Sequence, residues 1–298
     1  MLPEPLNTIV KKPLVSLYVA GSICLVVASF LWWTKVSVNP TRVFWDTVSQ
    51  SLATSAVTIE ASQTSDGSTI HQTLQYSLGA NNITHSMTTL EQGGTTVVDE
   101  LIGTPNADYS RYVSVATNQK NLNLSGVIGV WAKGSSSNQG QLFGQAVLGT
   151  GLPIGGIAMP IANFDPSTRT TLYQEIKTAN VYNVDFNSVK RTHVHGRLEY
   201  TYDVAIEPVA YTEMMQRYAD ALGLHSLDSL DPSSYVGQAA THMVLTVDAH
   251  ADQVVSASIP ASNATQTYSS YDVPVSISVP KNTVSLQTLQ QRLQALQQ

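Results

Sequence analysis

Leu198 to Pro208 read LEYTYDVAIEP. Leu198, Tyr200, Tyr202, Val204 and Ile206 alternate with Glu199, Thr201, Asp203 and Glu207, a period of two that sends the apolar side chains to one face of a strand. Pro208 cannot donate to a ladder, so it ends the strand and is placed to open a helix. Tyr211, Met214, Met215, Tyr218 and Leu222 then recur at helical spacing up to Gly223, an apolar stripe closed by a C-terminal glycine. A half-buried strand followed at once by an amphipathic helix predicts a sheet with helices laid across one face.

The same alternation extends toward the N-terminus. Val57, Ile59 and Ala61 alternate with polar residues, as do Ile70, Leu74, Tyr76 and Leu78. Turn chemistry at Asp66-Gly67, at residues 79–82, at Gly93-Gly94 and at Thr104-Pro105-Asn106 divides the run into five strands by about Val115, the pattern of an antiparallel meander. Ahead of it, Asn39-Pro40 reads as a helix start, with a helix to about Ala56. Val43, Phe44, Thr47, Val48 and Leu52 form its buried stripe, and Trp45 lies off that stripe, facing a membrane surface in this reading.

Residues 121–164 carry Lys133 as their only charge and nine of the 18 glycines. One reading is a meandering connection with a short helix around Gln141 to Leu148, packed on the open sheet face. The other is a mobile apolar lid, hinged at glycines and walled by Leu142, Phe143, Val147, Leu148, Leu152, Ile154, Ile157 and Met159. Tyr200 and Tyr202 would face such a ligand from the sheet. Asp165 is placed to cap a polar helix from Pro166 to about Thr178, and Asp231-Pro232 to start a short helical turn.

Thr241 to Pro280 contain HMVLTVDAHADQVVSASI and then TQTYSSYDVPVSISVP. The elements Val247-Asp248, a turn over 250–252, Tyr268 and Tyr271, Pro274-Val275 and Pro280 resemble the C-terminal part of LolA- and LppX-like proteins. The resemblance is close over some 40 residues and loose over the whole extracytoplasmic part. It implies a strongly curved antiparallel half-barrel whose concave apolar side is covered by helices, and a role in holding lipids or lipoproteins. The chain departs from those relatives in its N-terminal segment, which favours a fixed binder over a shuttle. At the C-terminus Leu286, Leu289, Leu293 and Leu296 mark a helix over 284–298, too short for a coiled coil alone and expected to dock on the domain's own sheet.

Pro13 to Trp33 contain no charged residue and end in two tryptophans. A helix of that length covers roughly 32 Å, enough for a hydrocarbon core of about 30 Å. Lys11 and Lys12 precede the stretch and only Lys35 follows closely, which assigns residues 1–12 to the cytoplasm, 13–34 to a transmembrane signal anchor, 35–39 to a connector and 40–298 to an extracytoplasmic domain. Cleavage after Ala28 would leave Phe30, Leu31, Trp32 and Trp33 on the mature end, so retention fits better. Cys24 is the only cysteine and lacks a lipoprotein leader pattern, and with no second cysteine an intramolecular disulfide is impossible.

Residues 36–298 hold 12 Lys or Arg and 20 Asp or Glu, a balance of −8. That charge makes nucleic acid a poor partner and matches anionic lipid headgroups equally poorly. No catalytic motif stands out. His193 and His195 have strand spacing for a shared face, but a zinc site needs further ligands that the sequence does not bring near. Asp99 and Glu100 are adjacent, point to opposite faces of a strand and read as solvated. The prediction is an α+β domain, a curved antiparallel half-barrel sheet covered by helices behind one membrane helix. It is non-enzymatic, without cofactor or metal, and holds a lipid or lipoprotein acyl chain, or serves as an envelope scaffold with a filled core. The oligomeric state is not legible.

Overall fold

Asn39 opens helix α1 (Pro40–Ser51), its side-chain oxygen accepting the backbone N–H groups of Thr41 and Arg42, while Pro40 needs no donor at that position. Val43, Phe44, Thr47 and Val48 form its buried stripe, with Leu52 just beyond. The helix stops at Ser51 rather than Ala56 because Ala56 already belongs to strand β1 (Ala56–Ser65). The structure is a computed structural model that describes residues 38–79, 82–118, 123–135, 140–149, 158–225 and 227–295, with Ser22, Leu25, Val26 and Ser29. The predicted span and its flanks therefore lie outside the described residues apart from those four, which are helical. No described helix is long and apolar enough to cross a membrane.

Four further ten-residue strands follow as a meander: β2 (Ser68–Ser77), β3 (Ile83–Gln92), β4 (Thr95–Thr104) and β5 (Ala107–Ala116). Each break stands where the turn residues placed it. Asp66-Gly67 and Gly93-Gly94 have positive φ at both positions, the twist that a tight hairpin requires. After β6 (Ala132–Lys133) come α2 (Gln141–Val147), α3 (Pro166–Thr178) capped by Asp165, β7 (Tyr182–Val184), β8 (Lys190–Val194) and β9 (Arg197–Ile206). Then α4 (Pro208–Ala221) leads to β10 (Thr241–Asp248), β11 (Gln253–Ile259), β12 (Ala264–Ser269), β13 (Val284–Ser285) and α5 (Leu286–Ala295).

Among the described residues these strands make one large, curved, unclosed sheet in the order β13-β6-β5-β4-β3-β2-β1-β12-β11-β10-β9, with β7 and β8 both on the far edge of β9. It is antiparallel except where β13 meets β6. The α+β class with a curved antiparallel sheet is as the sequence predicted. The first strand meets the last hairpin because Ile59 pairs with Tyr268 and Ala61 with Gln266.

The face turned toward α1, α3 and α4, called the inner face here, carries the main core. Val57, Ile59, Leu74, Tyr76, Leu198, Tyr200, Tyr202, Val204, Met243, Leu245 and Val247 meet the helices there. Phe44 lies edge-on to Tyr202, Phe186, Tyr182 and Trp45, the offset geometry favoured by the quadrupoles of aromatic rings. Trp45 is half-buried. It packs edge-on against Tyr173 with the Lys177 ammonium over its ring, because α3 crosses where the sequence showed only open surface.

A satellite core of Val127, Ala132 and Leu289, with Tyr112, Leu286 and Leu293, docks α5 in cis beside β5 and β6. Residues 273–281, which hold Pro274-Val275 and Pro280, contain no strand. Ile277 and Trp131 pack against Ile83, Ile102 and Tyr109 on the outer face.

Candidate functional site

The two described flanks of the glycine-rich segment are fastened to the inner face by tyrosine hydroxyls. Tyr76 Oη donates to the Ala146 carbonyl at 2.7 Å and Tyr218 Oη to the Ile161 carbonyl at 2.6 Å, while the Ala158 N–H donates to Tyr268 Oη. Burial pushes all three hydroxyls far from ionisation, so they remain donors at physiological pH. Of the predicted ligand wall, Phe143, Val147, Leu148 and Met159 are at most 3% exposed and belong to the core. Leu152, Ile154 and Ile157 lie outside the described residues. Tyr200 and Tyr202 are buried beneath α1, their hydroxyls donating to the Val38 and Pro40 carbonyls at 2.6 and 2.9 Å. Leu142 alone of the described wall residues borders open space.

That space is a cleft of about 50 Å³ lined by Gln72, Leu74, Thr84, Ser86, Leu101, Gly103, Leu142, Gln145 and Ala146. It exists because α2 lies directly on β4. A Cβ at Gly103 would meet the Leu142 carbonyl carbon at 2.8 Å, so only glycine permits this approach. The helix has Gly140 at its N-cap and no capping side chain of its own. Asp108 serves instead: burial pushes its carboxyl pKa up, and the N–H groups of Leu142, Gln141 and Phe143 pull it partly back. Gln72 donates to Ser86 Oγ at 2.8 Å, and its own buried Oε1 finds no donor among the described residues.

Beyond this cleft the inner face continues without a described helix over it until α5. Ile70 pairs with Leu90, Leu90 with Val97 and Val97 with Val115, so one apolar side chain from each of four strands forms a row on the face that carries Leu74 and Tyr76. All four are half-buried. The layer between row and cleft is polar, with Gln72, Thr88 and Asp99 side by side. Burial pushes the Asp99 carboxyl up.

On the outer face a file of polar side chains crosses four strands. Gln75 Oε1 lies 3.1 Å from His85 Nδ1, His85 Nε2 lies 2.8 Å from Glu100 Oε1, and Arg111 Nε donates to Glu100 Oε2 at 2.6 Å with its guanidinium over the Trp131 ring. Asp99 and Glu100 do point to opposite faces, but Glu100 is 8% exposed rather than solvated. Burial pushes its pKa up and the bonds from His85 and Arg111 outweigh that, leaving it below the usual carboxylate range. Its partners stand 15 and 11 residues away in sequence, so only the register could reveal them.

Two further features lie at the surface. A cleft of about 250 Å³ between α3 and α4 is lined by Ala179, Ala210 and Met214 among others and is bridged by Arg217 and Glu175 at 2.6 Å. Asp220, His225 and Asp228 converge within 4.8 Å but are all exposed. His193 ends up in β8 and His195 in the following turn with φ +49°, so they do not make the two-ligand face their spacing allowed. No model of a known protein family matches the chain, and no curated protein matches it in sequence.

Proposed function

We propose that this protein is a membrane-anchored, extracytoplasmic, non-enzymatic binding module that holds an apolar chain, the acyl part of a lipid or lipoprotein, on the inner side of its half-barrel sheet. The observation that carries the reading is the row Ile70, Leu90, Val97 and Val115, four apolar side chains in register and half-buried on the face that elsewhere forms the core. An acyl chain lying across that row would complete the burial, at about 25 cal/mol per Å² of apolar surface removed from water. Gln72 Oε1, beside the row and without a donor among the described residues, supplies an acceptor for a polar group at the ligand's end. The binding surface proposed here is thus the β2–β5 meander and Leu142, in place of the buried Tyr200 and Tyr202.

The test is native mass spectrometry of the full chain extracted from membranes, with Leu90→Ser and Val97→Ser introduced together as the comparison. Native protein should carry a lipid mass that the double variant loses while its thermal unfolding changes little. Absence of any bound lipid in the native chain would favour the second reading, an envelope scaffold with a filled core. That reading rests on the complete burial of Phe143 and Val147 and on the tyrosine ties to Ala146 and Ile161.

A further inference from the structure

The hairpin of β8 and β9 is a basic projection from an acidic protein. Between Lys190 and Arg197 stand Lys190, Arg191, His193, His195 and Arg197 with no carboxylate, whereas the whole chain has a net charge of −6. All five residues of β8 are exposed, and among the described residues β8 pairs with β9 alone, outside the main path of the sheet. His195 and Gly196 both have positive φ, so a two-residue turn of fixed shape holds the projection out.

Its position follows from the register. Arg191 stands directly opposite Tyr200, and Tyr200 Oη donates to the Val38 carbonyl at 2.6 Å. Val38 is five residues after Trp33, the end of the uncharged stretch, a separation of at most about 18 Å for an extended chain. The hairpin therefore emerges beside the point where the chain enters the domain. Of the acidic groups near it, Asp185 and Asp203 are exposed, the first accepting the Asn187 N–H and the second beside His242 at 3.2 Å, and the others are partly buried or engaged. Asp248 is buried and accepts the His250 and Ala251 N–H groups, with Arg197 at 3.9 Å. Asp46 is paired with Arg42 at 2.8 Å, and burial together with Asp46 pushes Asp252 up to about 6. Glu199 is half-buried opposite Thr192.

We infer that the exposed edge of this hairpin, with Arg191 on the face of Tyr200 and Lys190 and Arg197 on the opposite one, rests on the anionic headgroups of the bilayer that holds residues 13–34, so that the hairpin is a second contact fixing how the domain stands on the membrane. The inference rests on the anchor proposed above. The overall negative charge argued against anionic lipid, but a headgroup layer responds to charges within about 8 Å, not to the sum over the molecule. Each basic residue at such a surface raises its occupancy by roughly fivefold.

The test uses the full chain with Cys24→Ser and Thr192→Cys, carrying a fluorophore at residue 192, mixed with vesicles whose headgroups bear an energy-transfer acceptor. One set is phosphatidylcholine and the other contains phosphatidylglycerol as well. The chain should float with both sets, and transfer should be at least about threefold greater with phosphatidylglycerol, the excess vanishing at high salt and in Lys190→Gln, Arg191→Gln, Arg197→Gln. Flotation with both sets and equal transfer would overturn the hairpin contact while leaving the anchor standing, and is also the outcome expected if the basic edge serves an acidic protein. Salt-sensitive flotation with phosphatidylglycerol alone, lost in the triple variant, would support the contact and remove the anchor. Flotation with neither overturns both.

Discussion

Strands β9–β12 and strands β2–β5 belong to one sheet, yet they meet the inner side with different chemistry. In the first group Tyr202 faces Leu245 and Tyr200 faces Val247 across the ladder, and α1, α3 and α4 close over them. In the second, Leu74 lies opposite Ser86 and Gln72 opposite Thr88, and of the described helices only the seven-residue α2 and α5 lie near. Shared backbone pairing thus does not imply shared packing. One half is a closed core and the other keeps a polar layer and an apolar row at its surface. The first is where stability should concentrate, and the second is where a ligand can be taken up without dismantling the fold.

The largest expected effect breaks the closed half. Phe44→Ala removes a fully buried ring that touches Trp45, Tyr182, Phe186 and Tyr202 and should cost about 3 to 5 kcal/mol in urea unfolding. Ile70→Ala, in the open half, should cost about 1 kcal/mol because the side chain is only half-buried. Equal losses at the two sites would mean the halves are packed alike.

Gly103→Ala tests a close helix approach in the open half. With a Cβ there, α2 must move off β4, and we expect about 1 to 3 kcal/mol of destabilisation with faster hydrogen exchange at Leu142 to Ala146. Unchanged exchange would show that α2 is not seated on Gly103.

Glu100→Gln probes the outer face of the same strands, at about 1 to 2 kcal/mol near neutral pH. The folded carboxyl titrates below its ordinary value of 4.5, so folding favours the ionised form. Its contribution is complete above that value and fades as pH falls through the folded pKa. Urea midpoints of native and variant chains should therefore converge on acidification. A gap that widens toward low pH would contradict the assignment. Smallest of all, Asn39→Ala removes the cap of α1 and should lower the thermal midpoint by the equivalent of about 1 kcal/mol.

Much of this architecture was legible locally. The stripe Val43, Phe44, Thr47, Val48 and Leu52, the caps Asn39 and Asp165, and the breaks at Asp66-Gly67 and Gly93-Gly94 are signals contained within a few residues of one another, and the elements stand where those signals placed them. The partners of Trp45 and Glu100 were not legible, for the opposite reason. Tyr173 on α3 packs against the first, and His85 and Arg111 on neighbouring strands hold the second. The proposed site divides the same way. Phe143 and Leu148 were recognisable as apolar, but whether they line a cavity or fill a core depends on Tyr76 and Tyr218, distant in the chain.

By itself, then, the sequence determined the class of the domain, the order of its helices and strands and most of their ends, because periodicity, caps and turns act over a handful of residues. Tertiary structure alone decided which strands adjoin beyond the meander, since Ile59 and Tyr268 meet across more than two hundred residues only when the sheet assembles. It also decided that Ile70, Leu90, Val97 and Val115 form one row and that Arg191 stands beside Tyr200 and Val38. Register fixes those neighbours, and a one-residue slip would send every side chain of a strand to the other face.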